Sequence, residues 1–260
     1  YTTPKPVGPG ILDLTGGYSW TKTHVDSIYY EGNGLSSDEG GTDEIVDAAN
    51  ETNILFEQQS KLISFFGRLN YNINDKYIFA ATLRHDGSSR FGEANDYGTF
   101  PSVSAAWRLS QEPFLREVKG LSDLKLRASW AKTGNQSFGN YLAYSSYQLG
   151  DNQTRYQFGD TLFITSRPSA VDPDIKWEQT RAVNIGLDFG FANQRITGAI
   201  DWYDKLTDDL LFTVPVAAFS NLSNFVTTNI GSMRNYGVEF SLGARILDGG
   251  ERGLSWQADF

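Results

Sequence analysis

From residue 235 to 246 every second side chain is apolar: Tyr236, Val238, Phe240, Leu242, Ala244 and Ile246 share one parity, while Asn235, Gly237, Glu239, Ser241, Gly243 and Arg245 share the other. Successive side chains on a strand project to opposite faces, so this segment has one greasy face and one charged or small face. Eight further stretches alternate in the same way: 11–22, 60–73, 76–86, 102–110, 123–133, 180–191, 195–206 and 254–260. Such lengths suit the roughly 9–11 tilted residues that carry a strand across a bilayer. One such stretch would fit a soluble half-buried strand equally well. Nine in succession predict the wall of a membrane barrel.

The apolar parity holds Leu12, Leu14, Tyr18 and Trp20, then Ile63, Phe65, Leu69 and Tyr71, then Tyr77, Phe79, Ala81 and Leu83. Val103, Ala105, Trp107 and Leu109 continue it, as do Leu124, Leu126, Ala128 and Trp130. Val183, Ile185, Leu187 and Phe189 follow, then Ile196, Gly198, Ile200 and Trp202, and last Leu254, Trp256, Ala258 and Phe260. The other parity carries Arg68, Asn70, Arg84, Asp86, Arg108, Lys125, Arg127, Asn184, Asp188, Asp201, Glu239, Arg245 and Asp259. An Arg or Lys facing mid-bilayer lipid costs about 2–4 kcal/mol, so a membrane would enforce this sorting.

Connection lengths alternate as well. A long loop (24–59) precedes a tight turn at Asn74–Asp75, and a Gly-rich loop (87–101) precedes a shorter linker with a helical turn (111–122). A very long loop (134–179) precedes a turn at Asn193–Gln194, and a long loop (207–233) precedes a turn at Asp248–Gly253. Short turns on one side and long loops on the other are the outer-membrane barrel arrangement. The predicted fold is therefore all-β, an antiparallel up-and-down transmembrane β-barrel segment. Nine strands leave the chain ends on opposite sides, and an open sheet edge cannot face hydrocarbon. Residues 1–260 are accordingly expected to be an internal part of one larger barrel domain.

Composition agrees. No run approaches the roughly 18 apolar residues of a membrane helix, and a negative mean hydropathy is what alternate burial produces. Aromatic residues, 14% of the chain, suit both strands and membrane interfaces. Cysteine is absent, which removes disulfide frameworks and Cys-based metal sites. Residues 1–10 hold three prolines and no apolar core, unlike a secretory signal. The net charge of −9 resides in residues 24–59, which carry nine acids and no Lys or Arg. That segment reads as a solvated loop, with calcium at Asp38–Glu44 the sharper alternative. Nucleic acid is excluded for want of clustered positive charge.

Catalytic patterns are sparse. Asp172 with Asp174, and Asp208 with Asp209, are carboxylate pairs of the kind glycoside hydrolysis uses, yet no apolar surroundings raise a pKa there. His24 and His85 stand apart from other metal ligands. No nucleophile elbow or phosphate-cradling loop occurs. No enzyme activity, metal or cofactor is expected.

Several local sequences resemble one family. Phe66-Gly67-Arg68-Leu69-Asn70-Tyr71 with Asp75-Lys76-Tyr77, Arg84-His85-Asp86-Gly87-Ser88-Ser89-Arg90-Phe91-Gly92, and Phe100-Pro101-Ser102-Val103-Ser104-Ala105-Ala106-Trp107-Arg108 resemble the SusC/RagA family of TonB-dependent outer-membrane transporters. So do Leu124-Lys125-Leu126-Arg127-Ala128-Ser129-Trp130, Lys176-Trp177-Glu178, Asn184-Ile185-Gly186-Leu187-Asp188-Phe189, Tyr203-Asp204-Lys205-Leu206-Thr207-Asp208-Asp209 and Asn235-Tyr236-Gly237-Val238-Glu239-Phe240. The matches run in family order from about residue 60 to 260, with Asp172-Pro173 where the family usually shows Asn-Pro. The resemblance implies a roughly 22-stranded barrel with a plugged lumen. It also implies import of oligosaccharides or peptides, a SusD-like surface lipoprotein as lid, and energy supplied through TonB. The plug and the TonB-contacting segment are expected outside this chain. Outer-membrane lipid is the remaining partner.

Substrate contacts are unassigned, and five residues are candidates. Arg84, Asp86 and Arg90 sit where a strand leaves the membrane, where Gly87, Ser88 and Ser89 favour a structural turn and Arg90 is read as pairing with Asp86 or with ligand. Trp177 and Glu178 are read either as a sugar-stacking pair or as an interface anchor opening a strand. Arg68, Arg84, Lys125 and Arg127 are expected to join plug or cross-strand ion pairs. Two alternatives to the importer remain: a siderophore-type TonB-dependent receptor, and a secreted β-rich carbohydrate-binding module.

Overall fold

The computed structural model describes residues 2, 7–33, 50–149, 155–217, 223–247 and 256–259. β1 (Gly10–Asn33), β2 (Asn50–Ile73), β3 (Tyr77–Ser88), β4 (Tyr97–Arg108) and β5 (Leu121–Asn135) come first. Four short strands follow: β6 (Tyr147–Leu149), β7 (Arg155–Phe158), β8 (Thr161–Ile164) and β9 (Ser166–Pro168). Then come β10 (Glu178–Phe191), β11 (Ile196–Asp208), β12 (Leu211–Pro215), β13 (Phe225–Asn229), β14 (Ser232–Leu247) and β15 (Trp256–Asp259). Nine of these form one sheet in the order β1-β2-β3-β4-β5-β10-β11-β14-β15, with every neighbouring pair antiparallel. They are the nine segments that the alternation marked.

Register turns nine amphipathic strands into one amphipathic sheet. Tyr71 lies opposite Phe79, Phe79 opposite Ala105, Ala105 opposite Ala128, Ala128 opposite Ile185, Ile185 opposite Trp202 and Trp202 opposite Val238. A one-residue slip at any strand would break that row, because it would turn all its apolar side chains to the other face. Apart from Tyr71, whose hydroxyl donates to Val7 O, the row is largely uncovered among the described residues: Phe79 is 44%, Ile185 46% and Val238 68% exposed. An apolar face of this extent marks contact with lipid or a partner.

Turn chemistry fixes the short ends. Asn74 and Asp75 have φ of +51° and +56°, Asp75 N–H donates to Asn72 Oδ1 at 3.0 Å, and Lys76 N–H closes on Ile73 O at 2.9 Å. Asn and Asp tolerate this left-handed region better than other non-glycine residues. At the second turn Ala192, Asn193 and Gln194 all have positive φ.

The solvated-loop reading of 24–59 is corrected at its two ends, 24–33 and 50–59, while 34–49 lies outside the described residues. β1 continues to Asn33 and β2 begins at Asn50, in unbroken register with Ile28 opposite Leu55 and Tyr29 opposite Ile54. β-branched and aromatic residues at 25, 28–30, 54 and 56 favour strand pairing, and above the membrane both faces meet water, so acids on either face cost little. The proposed calcium segment Asp38–Glu44, the turn Asp248–Gly253, and Leu254 and Phe260 lie outside the described residues. The helical turn falls at Leu109–Gln111, ahead of the linker assigned to it, which takes Leu109 off the strand face. The long connection 134–179 contains the short pairs β6–β9 and β7–β8, and 207–233 contains the hairpin β12–β13.

Candidate functional site

The face opposite the apolar row is a wall of paired charge. Arg127 on β5 reaches Asp188 on β10 at 2.7 Å and Asp201 on β11 at 3.0 Å, and Lys125 reaches Asp188 at 2.8 Å. These residues share the inward parity and are brought side by side by register, since Asp188 pairs with Lys125 and Gly186 with both Arg127 and Asp201. Gly186 is where the guanidinium crosses: a Cβ there would fall against the Asp201 carboxylate and the Arg127 head. Glu239 lies directly opposite Asp201, the acid that Arg127 reaches, so two acids face each other there. The expectation of cross-strand ion pairs holds for Lys125 and Arg127. Arg68 instead donates to Asn70 on its own strand, at 3.3 Å.

At the long-loop end, connections fold across this inner face around a small apolar cluster. Phe91, Phe100, Ile175 and Trp177 are buried, with Leu62, Phe138, Leu142 and Leu211 packed against them. Phe91 lies 4.7 Å from Trp177 between ring centroids, and Phe100 5.3 Å. Gly98 and Gly134 leave room for the Phe100 ring, which occupies the space a Cβ would need at either position.

Of the five candidate residues Trp177 belongs to that cluster, and each of the five is already engaged. Arg84 grips Asp86 through Nε at 2.6 and 2.8 Å and donates to Ser64 at 2.9 Å. Arg90 does not pair with Asp86. Its Nη1 donates to the carbonyls of Gln136 and Phe138 at 2.9 and 2.8 Å, which ties the 136–146 connection down. Trp177 is 4% exposed and its Nε1 donates to Asp96 O at 3.3 Å. That position fits neither a sugar platform nor an interface anchor, because the ring faces protein. Glu178 accepts from Asn135 Nδ2 at 2.6 Å and from Leu211 N at 2.8 Å. Together these residues build the loop scaffold at the mouth of the wall. The cluster around Trp177 was not legible in the sequence, since Phe91, Ile175 and Trp177 lie outside any periodic segment.

Elsewhere three of the four paired carboxylates, those of Asp172, Asp208 and Asp209, are engaged. Asp172 accepts from Asp174 N at 2.9 Å, Asp208 at the end of β11 meets Arg181, and Asp209 meets Lys176 at 2.9 Å. At the short-turn end, buried Glu112 accepts from Lys76 at 2.6 Å, Tyr77 at 2.7 Å and Trp107 at 2.9 Å. The Lys76 ammonium beside it, then the Tyr77 hydroxyl, hold its carboxyl below the ordinary range. The isolation of His24 is corrected: β1–β2 pairing sets His24, Asp26 and Glu57 within 4.8 Å of one another. Three exposed groups of that kind can hold a divalent metal, and they equally make the observed ion pair, His24 Nε2 to Asp26 at 3.0 Å.

Comparison with known proteins agrees with this architecture. Residues 5–260 match the family described as TonB dependent receptor-like, beta-barrel. TonB-dependent receptor SusC of Bacteroides thetaiotaomicron is 45% identical over 242 residues, 93% of this chain and 24% of that protein. TonB-dependent receptor P26 of Formosa agariphila is 35% identical over 89% of this chain and 23% of its own length. The RagAB peptide transporter superposes with a TM-score of 0.80 at 27% identity, over 95% of this chain and 27% of that chain. A ferric enterobactin receptor of Pseudomonas aeruginosa shares the fold at a TM-score of 0.61 and 17% identity. This chain thus spans about a quarter of the length of the curated relatives it matches.

Proposed function

Because this chain belongs to the TonB-dependent receptor-like β-barrel family of the outer membrane, we propose that it forms part of the wall of a SusC-like importer of oligosaccharides or peptides. The observation that carries this reading is the sheet itself, with an uncovered apolar row on one side and the Lys125–Asp188–Arg127–Asp201 chain on the other. Hydrocarbon accepts the first side and water the second. Greater likeness to SusC and to the RagAB transporter than to the siderophore receptor favours nutrient import over iron uptake.

The remainder of the protein would close the open edges at β1 and β15 and supply the plug and the TonB-contacting segment. A SusD-like lipoprotein would dock at the long-loop mouth. No chemistry is asked of this chain. Its engaged carboxylates fit scaffold rather than hydrolysis.

The test is deletion of the parent gene, followed by growth on single glycans, on peptides as nitrogen source, and under iron limitation. Loss of growth on one glycan or peptide class, with iron-limited growth intact, supports the reading. Loss only under iron limitation transfers the assignment to siderophore uptake.

A further inference from the structure

On the lipid-facing side of β1 and β2, side chains change character step by step toward the long-loop end. Tyr18 lies opposite Phe65, ring centroids 5.4 Å apart, and Trp20 opposite Ile63 comes next. Tyr97, stacked on His85 at 5.0 Å, carries this aromatic step onto β4. Trp and Tyr favour the boundary between hydrocarbon and headgroups. One step further out, Lys22 and Lys61 stand directly opposite each other. Like charges so placed repel. Among the described residues, neither ammonium group has an ion-pair or hydrogen-bond partner.

The surface beside them is concave. A cavity of about 250 Å³ opens below, with Trp20, Tyr97, Lys61 and Ser89 in its walls, and one of about 380 Å³ opens above, between Lys61, Ser89, Gln59, Tyr141 and Tyr144. Lys61 and Ser89 form the partition, locked by two backbone contacts: Lys61 N–H donates to Ser89 Oγ at 2.8 Å and Ser89 N–H to Lys61 O at 3.0 Å. Tyr141 is fixed too. Its φ is +65°, and its hydroxyl both accepts from Gln59 N at 3.0 Å and donates to Gln59 O at 3.1 Å. A tyrosine takes that backbone conformation only under constraint. Asp96 also lines the lower cavity, so the anion's seat is the lysine step and not the cavity floor.

We propose that Lys22 and Lys61 bind the phosphate of a phosphorylated glycolipid in the outer leaflet, with its acyl chains along Trp20 and Tyr97 and its sugar between Gln59, Tyr141 and Tyr144. The lysines sit at headgroup height on the side away from the lumen, where an imported solute does not pass and a lipid does. The site depends on the membrane placement of the sheet and is independent of what the lumen transports.

The test uses the full-length protein in neutral detergent, titrated with monophosphoryl lipid A, with the same lipid after phosphate removal, and with inorganic phosphate. Bound lipid is counted by native mass spectrometry. Two lysines facing one anion should favour the phosphorylated lipid about tenfold or more. The preference should vanish in K22Q/K61Q and survive in K22R/K61R, with folding checked by the heat-dependent shift in gel migration. Without lipid, K22Q alone should raise the thermal midpoint, because it removes the repulsion. Equal retention of the two lipids, or an undiminished preference in K22Q/K61Q, overturns the proposal. So does inorganic phosphate that binds the lysine pair as well as the lipid does, which would make it a soluble-anion site.

Discussion

Glu112 closes the short-turn end by accepting from Lys76, Tyr77 and Trp107 at once. Its folded pKa lies below its ordinary value near 4.5, so the stabilisation it gives is complete above that value and is lost as pH falls through the lowered one. Amide protection factors at residues 74–77 and 109–112 should therefore fall only in acid, and Glu112→Gln should lower them at neutral pH as well. Unchanged protection in the variant would refute the clasp. On the inner wall, Asp201 and Glu239 face each other with Arg127 beside only the former. Glu239→Gln should raise the urea midpoint by the equivalent of a few tenths of a kcal/mol, since like charges directly opposite are unfavourable. Arg127→Ala should lower stability by about 1 kcal/mol, leaving Asp201 beside Glu239 with no cation. Both values come from unfolding in detergent, and opposite signs would show that the acids are not coupled. The parity of these residues was readable from sequence. Their partners were not, because residues 61 and 74 positions apart meet only through register.

At the scale of the strand, the period-two pattern makes a sharp prediction about neighbouring positions on β4. Ala105 faces lipid and Ser104 faces inward. Ala105→Arg should cost about 2–4 kcal/mol and reduce folded yield in the outer membrane, while Ser104→Arg should cost little. Equal effects would mean that the apolar side is covered by protein. Where the pattern was weak, the sequence misled. The stretch 24–33 does not alternate, and nine acids over 24–59 suggested a loop, yet strand pairing tolerates mixed faces once both lie in water. The core under the long connections was equally hidden. Phe100 sits on a strand, but its partners Phe91, Ile175 and Trp177 come from connections, and a loop's folding back leaves no periodic mark. Gly134→Ala tests that packing: a Cβ there collides with the Phe100 ring. The variant should expose Trp177, read as a red shift of its fluorescence, and lower stability by about 1–3 kcal/mol.

At the scale of the molecule, nine strands leave β1 and β15 as edges of an open sheet. Unpaired backbone groups are costly in hydrocarbon, which supports the proposal that further barrel strands cover them. The full-length protein should keep its strand signal in detergent and lose it, or aggregate, when the amphiphile is removed. A monomer that stays folded in plain buffer would contradict lipid contact along the Tyr71–Val238 row.

Sequence alone determined which segments are strands, which side of each meets lipid, and which end carries the short turns, because strand alternation and turn residues are local consequences of backbone geometry. It also determined the family, through ordered motifs in consecutive strands. Tertiary structure decided the rest: that Arg127 bridges two aspartates, that Trp177 lies inside a loop core, that β1 and β2 rise as a hairpin beyond the apolar band, and that Lys22 meets Lys61. Each of these joins residues distant along the chain, and only the register between strands and the path of the loops sets such distances.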